Sequence, residues 1–408
     1  MTLAPTRTRH LNQIEFPDDP ALPRLPTLFD VESLSRTFQD HLPDSYGAPE
    51  RIRIHHFIHS IGRRALVSYE VSWPEDRYLP PEYFVLKTSA AGPIKLSRYP
   101  QDDRLPGLEM AAQPASTLEL VNANVLVMPA RRASVHLVRY RPEFRAVLRH
   151  RMGRVRLYAR VMWPADVRPV LATHQVATNS GSVVPGLAGC WHGGGVIWLT
   201  EIRGRSLRRS IQKGRFPDPA RLLVGLESLW NISPEGRGIR PFNLRRAYSR
   251  ALHSFRHNLR DHADSSQTLK GIVDSLNPFV KSWKPSGMAH NDFYDDQMLL
   301  MEDGRLALVD LEDIAPGDPT LDVGNFLAHL RWYSRFGDQE RAENCGRFHY
   351  ILRGAALDRF GWDARGLSLT EAVCLFRICT NVIRHPRGDW KTRLDAGLSL
   401  VLDCLEQA

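Results

Sequence analysis

Residues 288–330 read MAHNDFYDDQMLLMEDGRLALVDLEDIAPGDPTLDVGNFLAHL, and this segment combines short apolar runs with closely spaced carboxylates. Two apolar runs, 298–300 and 306–309, flank a turn that is marked by Gly304. Apolar runs on either side of a glycine turn predict a short β-hairpin, whose second strand ends at Asp310.

The predicted hairpin brings three polar side chains to one end. Asp292 and Gln297 lie in the loop before the first strand, and Asp310 lies at the end of the second strand. Because the two strands are antiparallel, we expect these side chains to converge. Phosphoryl transfer needs such a group, with one carboxylate to orient or deprotonate the attacking hydroxyl and further oxygen ligands to hold Mg²⁺ against the phosphates. The alternative is that Asp292 is an ordinary loop carboxylate.

Further motifs surround the hairpin. H-x-D opens the preceding loop at His290, V-D-L-E follows the second strand, and G-D-P-x-x-D ends at Asp322, all within 33 residues. This joint pattern resembles the catalytic and metal-binding block of aminoglycoside phosphotransferases, choline kinases and related kinase-like enzymes. The resemblance implies an α+β, protein-kinase-like fold of two lobes, with a β-rich N-lobe and a mostly helical C-lobe that carries the catalytic hairpin.

The resemblance also implies a role for each matching residue of the loop and hairpin. Asp292 is expected to be the catalytic aspartate, and His290 is expected to brace its loop. Gln297 stands where the family usually has a metal-binding asparagine, and Asp310 corresponds to the metal-binding aspartate. Gln297 retains an amide oxygen for Mg²⁺ but is longer than asparagine by one methylene.

The carboxylates outside this set are expected to be structural or merely exposed. Asp318 and Asp322 match the G-D-P-x-x-D element, whose second aspartate ties the catalytic loop down by hydrogen bonds in the family. For Asp295, Asp296 and Asp313 the favoured interpretation is that they are exposed charges in turns.

The first half of the chain contains a faint internal repeat. The residue spacing of 16–25 recurs at 99–108, and the alternating segment that begins at Ile54 lines up with the segment that begins at Val135. Alternation around a central turn predicts antiparallel strands in both copies. We therefore predict two tandem β-rich modules, while chance similarity between arginine-rich β-segments remains the alternative.

Each predicted module closes with a strand that carries one long cation, Lys87 in the first and Arg160 in the second. Kinase-like enzymes hold the α- and β-phosphates with a lysine on the third strand, usually paired with a helix glutamate. In the second module the lysine position falls on Arg160, and the following helix offers His174 or Gln175 instead of glutamate. Arginine is longer and planar, so the substitution is not conservative. Lys87 is therefore the alternative phosphate ligand.

A connection between the two predicted lobes follows the second module. An apolar strand at 196–199 leads into Thr200, Glu201 and Ile202, and a G-x-x-L motif then ends at Leu207. This arrangement resembles the strand, hinge and helix start that join the lobes in the superfamily. The resemblance implies that the backbone of these three hinge residues binds the purine ring of a nucleotide.

The rest of the chain has helical periodicity. Helices are predicted at 166–180, 217–230, near 241–262 and 265–282, and over 325–408 with breaks at Gly337, 361–366 and 386–388. The segment RICTNVIRHPRGDW, residues 377–390, resembles the closing helices of actinobacterial phosphotransferase-domain proteins.

Composition excludes several classes of protein. Hydrophobic residues make up 43% of the chain and charged residues 24%, which is typical of globular proteins and not of disordered ones. The five cysteines form no C-x-x-C pair, so neither a disulfide framework nor a zinc knuckle is predicted. The N-terminus lacks a signal-peptide pattern and no apolar run is long enough to span a bilayer, so a cytoplasmic location without membrane contact is expected.

The formal net charge of +9 indicates which classes of binding partner are expected. The basic residues are dispersed and no nucleic-acid motif is present, so nucleic acid is not the expected partner. A polycationic acceptor would favour an acidic protein, which lowers the expectation of a polyamine-like antibiotic. The sequence does not indicate an oligomeric state.

The resemblance therefore implies an ATP- or GTP-dependent phosphotransferase that uses Mg²⁺ and moves a γ-phosphoryl group to a small-molecule hydroxyl. Antibiotics, amino alcohols, sugars and natural-product intermediates are the candidate acceptors. The alternative is a nucleotide-binding or inert pseudokinase with a regulatory or scaffold role. The predicted domains are a first β-rich module at 1–98, an N-lobe at 99–204 with its hinge near 199–204, and a helical C-lobe at 205–408.

Overall fold

The structure, a computed structural model, describes residues 19–75, 78–90, 92–125, 131–233, 238–260, 262–384 and 389–408. Within these ranges the chain forms twelve α-helices and fourteen β-strands. The helices are α1 (Val31–His41), α2 (Leu108–Ala112), α3 (Pro114–Asn124), α4 (Val167–Asn179), α5 (Leu207–Gln212), α6 (Pro219–Trp230), α7 (Leu244–Asn258), α8 (Ala263–Ser282), α9 (Pro319–Phe336), α10 (Gln339–Phe360), α11 (Ala364–Arg384) and α12 (Trp390–Glu406). The strands are β1 (Arg51–Ser60), β2 (Arg64–Ser72), β3 (Glu82–Ser89), β4 (Lys95–Arg98), β5 (Ser134–Arg141), β6 (Arg145–Met152), β7 (Val155–Met162), β8 (Leu187–Trp191), β9 (Val196–Thr200), β10 (Arg205–Ser206), β11 (Gly287–Ala289), β12 (Met298–Leu300), β13 (Leu306–Leu308) and β14 (Ala315–Gly317).

The described residues divide into two compact units. The first contains those up to Pro164 together with Gly189–Trp198 and Asn381–Arg393, and the second contains Ala165–Ala188, Leu199–Thr380 and Leu394–Ala408. Most of the long strands precede residue 200 and most of the long helices follow it, which confirms the predicted α+β class. The domain boundaries after residues 98 and 204 stay a prediction.

The first sheet has the strand order β1-β2-β3-β4 among the described residues. Helix α1 packs Phe38 onto this sheet, with its ring 5.0 Å from that of Phe84 and 6.2 Å from that of Tyr69. Asp30 begins the helix by accepting a hydrogen bond from the Ser33 N–H at 2.7 Å. These contacts give the first sheet an apolar core of its own.

The second sheet has the strand order β5-β6-β7-β9-β8 among the described residues. Buried His150 on β6 accepts a hydrogen bond at Nδ1 from the Trp198 indole N–H at 3.2 Å, so Nε2 is the protonated nitrogen and donates to the Ala111 carbonyl at 2.9 Å. Burial lowers the pKa of His150 to about 4, although the Ala111 contact opposes the shift. A neutral imidazole therefore joins α2 to the second sheet.

Each sheet has an equivalent contact between an aspartate and the first turn of the sheet, and this match supports the predicted repeat. An Asp19 oxygen accepts the Gly62 N–H at 2.9 Å in the turn between β1 and β2. An Asp102 oxygen accepts the Glu143 N–H at 2.8 Å in the turn between β5 and β6. Gly62 and Glu143 lie 81 positions apart, and both have a positive φ, of 70° and 60°. The part of the repeat at residues 16–18 lies outside the described residues.

The strand register repeats as well. Lys87 on β3 pairs with Leu66, and Arg160 on β7 pairs with Val147, which again lies 81 positions after Leu66. The two cations therefore occupy the same place in equivalent sheets. These matched contacts favour a repeated module over chance similarity.

The local signals in the second half predict its helices well. Helix α6 begins at Pro219, directly after Asp218, whose side chain accepts the Ala220 N–H at 2.9 Å. Helices α4, α7 and α8 also lie where periodicity predicts them. Helices α1, α2 and α3 form in the modules that sequence predicted only as β-rich. Helix α9 begins at Pro319, before the predicted start at 325, because the Asp318 side chain accepts the Thr320 N–H at 2.9 Å and so marks the helix start.

Among the described residues one helix, α11, has the length and apolar composition of a membrane span. About four fifths of its most apolar window, 78%, is buried inside the structure. Core helices share this property, so the helix gives only weak evidence for a membrane segment. The predicted break at 386–388 lies outside the described residues.

Candidate active site

The loop between β11 and the hairpin is held at its start by one buried carboxylate. Asp322, in the first turn of α9, accepts the backbone N–H groups of His290 at 2.8 Å and Asn291 at 2.7 Å. It also accepts the Trp230 indole N–H at 2.9 Å. Burial raises the pKa of Asp322, and these donors oppose the shift. This is the arrangement expected of an aspartate that ties down a catalytic loop.

Asn291 is a second anchor of the loop, and sequence reasoning did not identify it. Its φ is +63°, and its amide donates to the carbonyls of Ala289, Asp313 and Ala315 at 3.1 to 3.2 Å. A Cβ at Gly317 would lie 2.1 Å from the Asn291 amide oxygen, so this position has no room for a side chain. Asparagine tolerates left-handed backbone better than most residues, which is the signal that was available.

His290 is fully buried beside the same anchor. Burial lowers the pKa of its imidazole, while the carboxylates of Asp322 and Asp310 oppose that shift. Its ring lies 5.9 Å from the ring of Phe293, measured between centroids. The bracing role of His290 stays a prediction.

The predicted hairpin is confirmed as β12 paired with β13. Gly304 occupies its turn with φ +80°, and the Val309 N–H donates to the Gln297 carbonyl at 2.8 Å. Asp310 follows with a left-handed backbone, φ 61° and ψ 65°. The Gln297 amide nitrogen consequently lies 3.5 Å from an Asp310 carboxylate oxygen. The hairpin thus brings together the two side chains predicted to bind metal.

Asp292 is partly exposed. It lies two positions before Tyr294, whose pKa is raised to about 12, first by burial and then by the charges of Asp292 and Asp296. The charge of Asp310 adds to this shift, whereas Arg208 opposes it. That Asp292 reaches the pair formed by Gln297 and Asp310 stays a prediction.

Asp295 differs from its prediction. It is fully buried, whereas Asp296 and Asp313 are exposed as expected. Asp295 faces Arg208, whose Nε and one terminal nitrogen both lie 3.3 Å from Oδ1. Such distances are long for a charge-assisted bond, so the pair does not offset the burial, which raises the Asp295 pKa to about 6. Sequence could not show this, because Arg208 is 87 positions away.

Replacing Asp295 with asparagine is expected to change how stability depends on pH. The folded pKa of Asp295 lies above the unfolded value of 3.8, so the folded state binds the proton more tightly and wild-type stability falls as pH rises from about 4 to about 6. The asparagine variant lacks this contribution. Urea unfolding across pH 4 to 7 should show the wild type losing about 2–3 kcal/mol relative to the variant. Asp296→Asn, which removes a neighbouring exposed charge, is the control. If the free energy of unfolding depended on pH equally in Asp295→Asn and Asp296→Asn, the raised pKa of Asp295 would be wrong.

An aromatic cluster surrounds Arg208. The guanidinium lies 5.5 Å from the ring centroid of Tyr294 and 4.9 Å from that of Tyr333. The Tyr294 ring stacks on His329 with centroids 4.1 Å apart. Burial lowers the His329 pKa to about 3, and the charges of Arg208 and Arg377 add to the shift. The sequence signal for this cluster was the four-residue spacing of His329 and Tyr333, which places both side chains on one face of a helix.

The predicted hinge begins at Thr200, the last residue of β9, and continues with Glu201 and Ile202, which are partly buried. The Thr200 N–H donates to the Gly186 carbonyl at 2.8 Å, so that donor is already used within the protein. A Cβ at Gly204 would lie 2.9 Å from the Leu299 Cβ, which explains glycine at the start of the G-x-x-L motif. Glu201 and Ile202 stay predicted nucleotide contacts, as does the Thr200 carbonyl.

The two predicted phosphate ligands have different surroundings. Arg160 is buried, with 8% of its surface exposed. The Lys87 ammonium donates to Glu143 at 2.6 Å. On α4, the buried His174 shares a hydrogen bond with the Pro185 carbonyl at 2.7 Å, and exposed Gln175 donates to Asn179 at 2.8 Å.

Comparison with known proteins adds a family and a fold. A sequence profile described as the phosphotransferase enzyme family matches residues 132–364. A solved protein assigned as an aminoglycoside phosphotransferase, from Ralstonia eutropha JMP134, is 14% identical with TM-score 0.52, and the match covers 72% of this chain and 98% of that one. Choline kinase from Cryptosporidium parvum Iowa II is 11% identical with TM-score 0.52, covering 71% and 94%. No curated protein matches the chain significantly by sequence.

Proposed function

Since the chain belongs to the phosphotransferase enzyme family, we propose that it moves the γ-phosphoryl group of ATP or GTP to a hydroxyl of a small molecule. The protein-kinase-like fold expected from the sequence is confirmed by the structural neighbours. The enzyme class, a small-molecule phosphotransferase, follows from the family. The nucleotide, the metal ion and the acceptor belong to the proposal.

One observation carries the proposal furthest. The Gln297 amide and the Asp310 carboxylate lie 3.5 Å apart at the end of a hairpin whose preceding loop is fixed by Asp322. A left-handed backbone at Asp310 costs free energy in a residue other than glycine. The fold therefore holds this carboxylate in an unfavourable conformation next to an oxygen-bearing side chain, which supports a functional role.

The residues present fit a magnesium ion. Mg²⁺ prefers oxygen ligands in an octahedron at about 2.1 Å, so neighbouring ligand oxygens lie about 3 Å apart. The contact between Gln297 and Asp310 is close to that spacing, and a half-turn of the Gln297 amide would present its oxygen instead of its nitrogen. Bound there, Mg²⁺ would neutralise charge on the phosphates.

Different residues of the chain are proposed to act on the attacking hydroxyl and on the phosphates. Asp292, on the loop anchored by Asp322, accepts or orients the proton of the attacking hydroxyl. We assign phosphate neutralisation to Arg160, because it lies in the second sheet, whose strand β9 ends at the predicted hinge. Arginine can hold two phosphate oxygens at once through its planar fork.

The acceptor is proposed not to be a polycation. The chain carries a net charge of +9, which disfavours a polycationic acceptor. An antibiotic, a sugar, an amino alcohol or a natural-product intermediate each offers the required hydroxyl. A cytoplasmic location fits the five free cysteines, four of which are buried.

Adding Mg²⁺ and ATP or GTP is expected to stabilise the wild-type protein. A ligand that binds only the folded state at about 100 times its Kd adds about 2.7 kcal/mol. Gln297→Ala removes one metal-binding group, so its half-saturating Mg²⁺ concentration should rise about 10–100-fold. Thermal unfolding with Mg²⁺ titrated at fixed nucleotide measures both effects, and the same conditions allow ADP or GDP release to be followed over a panel of hydroxyl compounds.

Gln339→Ala, at an exposed position on α10, is the matched control and should retain the wild-type Mg²⁺ dependence. Stabilisation without turnover of any acceptor would favour a nucleotide-binding pseudokinase. Absence of both stabilisation and turnover would contradict nucleotide-dependent transfer and leave a scaffold role.

A further inference from the structure

The turn between β5 and β6 is held through the side chain of one residue. Glu143 lies in this turn with φ 60° and forms ion pairs with Lys87, at 2.6 Å, and with Arg64. Its side chain is 19% exposed, and those of Lys87 and Arg64 are 37% and 39% exposed. Burial alone would raise the Glu143 pKa, but the two cations outweigh it and the pKa is lowered.

Both cations come from the first sheet, whereas Glu143 belongs to the second. Arg64 is the first residue of β2, and Lys87 lies within β3. The backbone N–H of Glu143 is bound separately, by Asp102 at 2.8 Å. The turn is consequently fixed both at its backbone and at its side chain.

A line of aromatic contacts runs alongside these ion pairs. The ring of Tyr83 on β3 lies 6.2 Å from that of Tyr99, which lies 5.3 Å from that of Tyr140 on β5. The Tyr140 hydroxyl donates to Asp102 at 2.9 Å, the same carboxylate that holds the Glu143 N–H. The first and second sheets are therefore joined beside the turn by apolar as well as ionic contacts.

The repeat explains why a lysine is available at this place. Lys87 and Arg160 occupy equivalent register positions, opposite Leu66 and Val147. The first sheet thus retains a lysine where a phosphate ligand is expected and directs it to the turn of the second sheet. In protein kinases the corresponding early turn is a glycine-rich loop that covers the phosphates.

We propose that Arg64 and Lys87 are positioning residues that act through Glu143, so that the first sheet clamps the β5–β6 turn in one position for nucleotide binding. This inference rests on the proposed function for its nucleotide. The turn lacks the glycines that would let it adjust to the phosphates, since its residues are Pro142, Glu143 and Phe144. Preorganisation by an external clamp lowers the ordering cost that a mobile loop would incur on binding.

Lys87→Met tests the clamp against Lys95→Met. Lys95 is the register partner of Lys87 on the neighbouring strand and is exposed, so the control removes the same charge from the same sheet. We expect Lys87→Met to raise the KM for the nucleotide about tenfold, equivalent to about 1.4 kcal/mol, with kcat changed less than twofold. Lys87→Arg retains a cation and should restore most of the affinity. An unchanged KM in Lys87→Met would overturn the proposal.

A double-mutant cycle separates the clamp from direct phosphate binding by Lys87. If Lys87 acts through Glu143, then Glu143→Gln combined with Lys87→Met should raise KM no further than Glu143→Gln alone. Additive effects would overturn the proposal, because they would mean that Lys87 contributes independently of Glu143.

Hydrogen exchange in the absence of nucleotide gives a readout that does not depend on catalysis. The amides of residues 143–145 should exchange at least about tenfold faster in Lys87→Met and Glu143→Gln than in the wild type or Lys95→Met. Faster exchange in a protein that transfers no phosphate would support the clamp and contradict the proposed function. Unchanged exchange would overturn the clamp, whatever the activity.

Discussion

Replacing Asp292 with asparagine is expected to lower kcat for phosphoryl transfer by about 10²–10⁴-fold, the range attributed to a positioned general base. The amide keeps the size of the side chain but cannot accept the proton of the attacking hydroxyl. Nucleotide binding should change far less, because the residues proposed to hold the metal and the phosphates remain. Initial rates of ADP or GDP release with a responsive acceptor measure kcat, and a thermal shift with Mg²⁺ and nucleotide measures binding.

Asp303→Asn is the matched control for that experiment. Asp303 lies in the turn of the same hairpin, its side chain is 49% exposed, and its contacts are to Arg305. The Asp303→Asn substitution removes one negative charge from the same hairpin and leaves the loop anchored by Asp322 unchanged. Turnover close to that of the wild type in Asp292→Asn would remove Asp292 from the mechanism.

Replacing Asp322 with asparagine is expected to destabilise the protein by about 1–3 kcal/mol, the cost of leaving a buried hydrogen-bond donor without an acceptor. Asp322 accepts three N–H donors and is fully buried. The amide nitrogen of asparagine would point its hydrogens at one or more of these donors, which are then left without an acceptor. Urea unfolding measures the loss, and kcat measured on the folded fraction should fall because the loop with Asp292 loses its anchor.

The control for this variant is Asp358→Asn, on the exposed face of α10. An exposed helical position should change stability by less than about 0.5 kcal/mol. If Asp322→Asn proved as mild as this control, the anchoring role drawn from its three hydrogen bonds would be wrong.

Local chemistry explains why part of the site could be predicted from sequence. The glycine turn at Gly304, between two apolar runs, fixes a hairpin whatever surrounds it. The same holds for Asp218 and Pro219, which mark a helix start by their own preferences. Once the hairpin exists, Gln297 and Asp310 must lie at one end of it, so their contact followed from the strand order.

The remaining features depend on residues that are distant in sequence. Asp295 looks like one more polar residue of an acidic loop, and only the approach of Arg208 and its aromatic neighbours shows that it is buried. Likewise, the sequence gives no sign that Lys87 pairs with Glu143, which lies 56 positions away. Single-sequence patterns describe faces and turns, whereas the partner of a charge is set by tertiary packing.

The matched turn contacts at Asp19 and Asp102 have a consequence for how the chain folds. Neighbouring modules that repeat the same hairpins can exchange strands during folding and form misassembled intermediates, which is a characteristic failure of repeated domains. Their supporting side chains have diverged, since Asp19 meets an imidazole at His59 where Asp102 meets a phenol at Tyr140. A hairpin that joined the other copy's aspartate would place a side chain of different size and shape against it, so this divergence disfavours swapped pairings.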